Sequence, residues 1–348
     1  MDAIKIQEQI DNNRKSVAFD SYDIAVRQLY DMATEKMIDI APDYQRHFIW
    51  DDTRQSQLIE SILLGIPVPS LFMATNKDST WEVIDGLQRL TTIINYVGTD
   101  EVIHGINPKC KKLKLSGLEK LSNINGLFFD DLPKSLQVMF MTRPIRVTVL
   151  NDRSDFSIRY DLFERLNTGG VTLHPQEIRN CVFLGKFNDF IKELAEFPAF
   201  KNVVKMTTNQ SLTGSHEELV LKFLAYFQDR ELFVHGVQDF LNNYMKKKTK
   251  EFHDEQDLRT VFENTFLCLD RNLPEGIVRG NRKNATPFVL FEAISIGVAD
   301  ALSQGADVRR EVLVELLDNE DLKKLTTGAT NSKNKLYQRI DFVREALI

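Results

Sequence analysis

Apolar residues recur along this chain at two different spacings, and the change from one to the other divides it near residue 150. Before that point, short β-like runs alternate with helical stretches. Leu71-Phe72-Met73-Ala74 and Trp81-Glu82-Val83-Ile84 are compact apolar runs, and the segment Arg143 to Leu150 alternates through Ile145, Val147 and Val149. Leu58, Ile59, Ile62 and Leu63 form one stripe of a helix that Asp51, Asp52 or Thr53 can cap. Leu87, Leu90, Ile93, Ile94 and Val97 form another. Beyond Asp155 the period becomes helical almost throughout, as in Ile158-Leu162-Phe163-Leu166, Leu219-Phe223-Leu224-Phe227 and Phe288-Phe291-Ile294-Val298. The pattern predicts an α+β protein. A mixed α/β domain spans residues 1–152, and an all-α helical bundle of roughly six to eight helices spans 153–348.

Composition narrows the classes. With 43% hydrophobic and 27% charged residues the chain has material for a packed core. A formal net charge of −6 argues against a protein that coats nucleic acid through general basicity. The 23 phenylalanines fall mostly at helical spacing and read as packing material. No run approaches the length of a membrane span, and the polar start carries no apolar leader, so a cytoplasmic location is expected. Cys110, Cys181 and Cys268 are too far apart for a metal pair and read as small buried residues. The stretch from Glu101 to Asn125 is expected to be an irregular excursion whose Lys109–Lys114 portion is locally basic.

The densest chemistry lies between Trp81 and Val97, where a strand, a sharp turn and a helix follow one another. Gly86 allows close backbone approach, and the first turn of the helix offers unpaired N–H groups and a positive dipole end. Gln88 and Arg89 fall in that turn, and Arg89 can hold a phosphate through two nitrogens. Asp85 can hold a metal ion on the phosphates, orient Arg89, or simply cap the helix.

Other segments carry a similar double meaning. Tyr44-Gln45-Arg46-His47-Phe48-Ile49-Trp50 is a polar and aromatic cluster before a helix. Arg165-Leu166-Asn167-Thr168-Gly169-Gly170 is either a helix ending on glycine or a glycine-rich loop whose amides face an anion. Lys246, Lys247, Lys248 and Lys250 are either a solvated helix end or a contact to a nucleic-acid backbone. His47, His104, His174, His216, His235 and His253 are scattered, with no metal-binding spacing. His216-Glu217-Glu218 reads as the start of a helix.

Taken in order, four of these segments form a combination. They are Tyr44-Gln45-Arg46-x-Phe48-x-Trp50, Ile66-Pro67-x-Pro69, Val83 to Thr92, and Phe163 to Leu173 followed by Glu177-x-Arg179-Asn180. Together they resemble the N-terminal domain of GmrSD-type, modification-dependent restriction enzymes, within the ParB/sulfiredoxin-like superfamily. Thr330-Asn331-Ser332-Lys333 with Arg339 resembles the tail of such domains. The sequence departs from the family motif at Leu87, where glutamine is usual.

The resemblance implies a nucleotide-binding domain, Mg²⁺ arriving with a nucleoside triphosphate, and hydrolysis in the service of phage defence. Asp85, Gln88 and Arg89 would then be catalytic: Arg89 neutralises phosphate, Gln88 positions a water or base, and Asp85 holds Mg²⁺ or that water. Tyr44, Gln45, Arg46, Gly86, Thr91, Arg165, Asn167, Thr168, Gly169, Gly170 and Arg179 would contact the nucleotide. No nuclease motif of the family's C-terminal kind is found, so a stand-alone member acting with a separate nuclease subunit, and homo-oligomerisation, are expected. The same residues also allow a non-catalytic module that binds DNA or assembles with partners.

Overall fold

In a computed structural model the described residues are 3–14, 19–40, 48, 50–76, 78–151, 160, 174–207, 210, 213–234, 236–280, 284–328 and 330–348. Their contacts group into two compact units, Met1–Thr172 and Leu173–Ile348. The expected boundary at 152/153 opens a segment outside the described residues.

The first unit contains α1 (Ala3–Arg14), β1 (Phe19–Ala25), α2 (Val26–Thr34), β2 (Ile38–Asp39), α3 (Asp52–Leu64), β3 (Leu71–Thr75), β4 (Trp81–Asp85), α4 (Leu87–Val97), α5 (Asp100–Ile106), α6 (Lys134–Met141) and β5 (Pro144–Leu150). The five strands form one mixed sheet in the order β1-β5-β3-β4-β2. β1 runs antiparallel to β5, β5 parallel to β3, β3 antiparallel to β4, and β4 parallel to β2. The register aligns Leu71 with Val147, and Met73 with both Val149 and Val83, so these side chains share one face. Val26 and Leu29 of α2, Ile59 and Ile62 of α3, and Leu90, Ile93 and Ile94 of α4 belong to the same buried cluster.

Local rules explain where the elements start. The Asp51 carboxylate accepts from the Arg54 amide at 2.7 Å and caps α3, which ends at Gly65 in the left-handed region. Arg143 donates to the Leu63 carbonyl at 2.9 Å and closes the same helix end. The excursion after α5 is anchored by backbone rather than side-chain pattern: the Leu113 amide donates to the Asn95 carbonyl at 2.8 Å, and Ser116 to the Ser56 hydroxyl at 2.9 Å.

The second unit is all helical among its described elements, apart from short turns: α7 (Pro175–Val182), α8 (Lys186–Ala195), α9 (Pro198–Val203), α10 (Ser215–Asp229), α11 (Val237–Lys250), α12 (Glu255–Asn272), α13 (Phe288–Ser303), α14 (Arg310–Asp318), α15 (Glu320–Thr326) and α16 (Lys333–Leu347). That is ten among the described residues, more than the sequence pattern indicated, because α9 and α15, with 6 and 7 residues, are too short to show a period. Phe200, Phe223, Phe262, Phe266 and Phe291 form a connected aromatic core, with Phe262 and Phe266 centroids 4.4 Å apart. No described helix is long and apolar enough to cross a membrane.

Candidate functional site: the Asp85–Arg89 turn

β4 delivers the chain into the turn at Asp85, and Gly86 reverses it into α4 with φ +103°. Two neighbours exclude a side chain there. A Cβ on Gly86 would lie 2.4 Å from Leu71 Cδ2 and 3.2 Å from Arg89 Nη2. The Leu90 amide makes the first helical hydrogen bond, to the Gly86 carbonyl at 2.8 Å. The amides of Leu87, Gln88 and Arg89 precede it at the positive end of the helix, whose N-cap residue is a glycine with no side chain to offer them.

Asp85 is therefore not the cap. It sits one residue earlier, and its Oδ2 accepts from Arg89 Nη2 at 2.8 Å, which is the orienting alternative of the sequence reading. The same nitrogen donates to the Ser70 carbonyl at 3.0 Å. Arg89 is thus fixed between the end of β4 and the residue before β3. Its Nε is buried with no hydrogen-bond partner, a donor whose desolvation costs about 1–3 kcal/mol where nothing accepts from it. The Arg89 side chain is 14% exposed and the Asp85 side chain 33%.

Gln88 faces a different neighbour. Its Oε1 accepts from the Trp50 amide at 3.2 Å, while the Trp50 carbonyl accepts from Gln55 Nε2 at 3.0 Å. Gln55 Oε1 in turn accepts from Asn95 Nδ2 at 3.1 Å. Gln55 and Asn95 are buried polar residues that the sequence pattern did not single out, since a lone amide on an apolar helix face carries no motif.

The remaining candidates separate. Tyr44, Gln45, Arg46, Arg165, Asn167, Thr168, Gly169 and Gly170 lie outside the described residues. Thr91, also expected to contact the nucleotide, is buried in α4 at 3% exposure. Arg179, from the same expected set, belongs to α7. It is fully buried in the second unit, where Nε donates to Asn242 Oδ1 at 2.9 Å, Nη1 donates to Gln176 Oε1 at 2.9 Å and lies 3.6 Å from Glu218 Oε2, and Nη2 donates to Gln238. An arginine with its fork occupied on all three nitrogens holds helices together. Glu218 also meets Lys222 at 3.3 Å, Lys222 meets Glu292 at 3.4 Å, and Glu292 pairs with Arg339 of the tail motif. Burial pulls the Lys222 amine down, but Glu292 and Glu218 more than offset this and hold its pKa above the usual value.

The lysine run is largely engaged. Lys247 pairs with Asp229 at 2.6 Å, and the buried Lys248 pairs with Asp254 at 2.5 Å. Cys110 and Cys181 are buried as expected, whereas Cys268 is half-buried. His216-Glu217-Glu218 does start a helix, with Gly214 at the cap. No group of three or more His, Cys, Asp or Glu suited to a metal occurs among the described residues.

Residues 26–184 match the model of the family described as the GmrSD restriction endonuclease, N-terminal domain. This segment is similar to a GmrSD-type N-terminal domain. It begins at α2, takes in the Gly86 turn and ends just after α7. Among solved structures, the C2221 form of a Pnob8-like ParB-N domain matches at 12% identity, covering 95% of this chain and 99% of that chain, with a TM-score of 0.24. A score that low supports no statement about fold. No curated protein matches the chain.

Proposed function

We propose that this protein is the nucleotide-binding component of a modification-dependent restriction system, with the phosphates of a nucleoside triphosphate seated at the Gly86 end of α4. The observation that carries the reading is the glycine-capped, positively polarised start of α4 beside Arg89, whose buried Nε has no partner among the described residues. A bound phosphate would complement the helix end and compete for Arg89. Asp85 is the carboxylate this turn offers to Mg²⁺. That ion takes one or two carboxylates beside phosphate oxygens and keeps its other waters, and the Asp85 side chain, 33% exposed, would be its protein ligand here.

Binding is the primary activity in this reading. Gln88, the residue expected to position a water, has Oε1 engaged by Trp50, and position 87 is leucine. Hydrolysis and cleavage of modified DNA would then depend on a separate nuclease subunit, in the cytoplasm where such systems act. The DNA-module alternative is weaker, because Lys247 and Lys248 are already paired with carboxylates.

Equilibrium binding and phosphate release with each of the four nucleoside triphosphates, wild type against Arg89→Ala, tests the proposal. Saturable binding by the wild type, weakened about tenfold or more in Arg89→Ala, is expected for a lost charge-assisted contact. Equal binding by the two proteins, or none by either, refutes the assignment.

A further inference from the structure

Gln88 and Asn95 are two turns apart on α4 and so lie on the same side of it. Both reach, directly or through one residue, the backbone of Trp50, one at its N–H and the other at its carbonyl. Gln88 accepts from its amide, and Gln55 donates to its carbonyl. Asn95 donates to Gln55 Oε1, which fixes the Gln55 amide group with its nitrogen toward Trp50. Asn95 is itself held, because its backbone carbonyl accepts from Leu113. The result is a closed ring of hydrogen bonds from the first turn of α4, through Trp50 and α3, back to the third turn of α4. Gln55 and Asn95 are 5% and 2% exposed, so water does not replace these bonds if one is lost.

We propose that Gln55 and Asn95 are positioning residues for the nucleotide. They set the backbone of Trp50, and through it the side chain of Gln88, at the phosphate turn. This rests on the placement of phosphate at Gly86. Neither residue touches the ligand; each acts by removing a choice. Without Asn95 the Gln55 amide is free to turn its oxygen toward the Trp50 carbonyl, where two acceptors face each other. Without Gln55 the Trp50 carbonyl loses its donor, and the backbone that holds Gln88 is less firmly set. Arg54, whose guanidinium lies 4.8 Å over the Trp50 ring, keeps the indole in place on the side-chain side and does not substitute for the peptide anchors.

The experiment uses the full chain carrying Trp81→Phe, which leaves Trp50 as its single tryptophan, since the sequence contains two. Phenylalanine at 81 keeps an aromatic ring against Tyr22. Into this background go Gln55→Leu, Asn95→Ser and the pair together. Trp50 emission is recorded before and during titration with the nucleoside triphosphate that binds the wild type most tightly.

The expected result is a roughly 5- to 10-fold weaker Kd in Gln55→Leu, the effect of one hydrogen bond lost from the path, with a shifted Trp50 emission in the free protein. Asn95→Ser, the milder variant and the one to rely on if Gln55→Leu does not fold, gives a smaller change in the same direction. The pair weakens binding no more than Gln55→Leu alone, because both residues act on one peptide. A purely structural role would lower the melting temperature while leaving the Kd and Trp50 emission of the folded protein at their parental values; that outcome overturns the proposal. Additive losses in the pair also overturn it. A parent that binds no nucleoside triphosphate refutes the phosphate site itself, which the parental titration reveals before any variant is compared.

Discussion

Replacing Gly86 with alanine tests the turn at its most constrained point. The backbone there has φ +103°, a region that costs an L-residue about 1–2 kcal/mol. The new methyl group would also lie 2.4 Å from Leu71 Cδ2. Leu71 is fully buried between β5 and β4, so it cannot swing into solvent, and overpacking of this kind costs about 1–3 kcal/mol. The two effects together predict a loss of about 2–5 kcal/mol for Gly86→Ala. Urea unfolding followed by circular dichroism measures it as a lower midpoint at unchanged slope. Leu71→Val provides the internal control, since it removes the clashing atom. The double variant should be more stable than the sum of the single losses by about 1 kcal/mol or more. A Gly86→Ala protein that unfolds at the wild-type midpoint, or a strictly additive double variant, would show that this turn is neither strained nor tightly packed.

Three further outcomes follow from other parts of the structure. Burial, and then Lys201, hold the His216 pKa below its usual value, so the unfolded chain takes up its proton first as pH falls. Stability present above about pH 6.5 is therefore lost as pH drops toward the folded pKa, and His216→Phe should flatten the difference between urea midpoints at pH 7.5 and pH 5.5. Phe266→Ala should destabilise the second unit by about 3–5 kcal/mol in calorimetry, because this ring is fully buried against Phe200, Phe223 and Phe262; a loss under about 1 kcal/mol would contradict the packing described. Lys248→Ala should cost about 1–3 kcal/mol by leaving Asp254 with the neutral Gln228 amide in place of a cation, yet leave the salt dependence of any DNA gel shift unchanged, and a flatter salt dependence would return this lysine to the DNA-contact reading.

How much of this was legible beforehand depended on whether a feature is local. β3, β4, β5, α3 and α4 were readable because apolar period and caps lie within each segment. β1 was not, since Phe-Asp-Ser-Tyr-Asp-Ile-Ala shows no clean alternation and is an edge strand defined by its partner, β5, more than a hundred residues later. β2, with two residues, is equally silent. At the turn, residue types located Gly86, Gln88 and Arg89, but not which neighbour each would choose. Asp85 takes Arg89 rather than the helix amides, and Gln88 takes Trp50. Arg179 shows what a residue type leaves out. An arginine in a motif invites a phosphate, and only the assembled helices show that Asn242, Gln176 and Gln238 have already occupied it.

The strand order carries a consequence for synthesis. β5 lies between β1 and β3, although it is made long after both. Until it emerges, β1 has no partner and one side of β3 is open, so the hairpin of β3 and β4, with the Gly86 turn at its end, has only the two-residue β2 beside it. An isolated hairpin is marginal in water. At roughly 5–20 residues per second, the interval between making Asp85 and making Leu150 is about 3–13 s. During those seconds the nascent chain exposes apolar strand edges, and the turn has no rigid support. The Gly86 turn, contiguous in sequence, is thus among the last parts of its unit to gain its supporting neighbours, and a truncation that removes β5 would disrupt it without touching any of its residues.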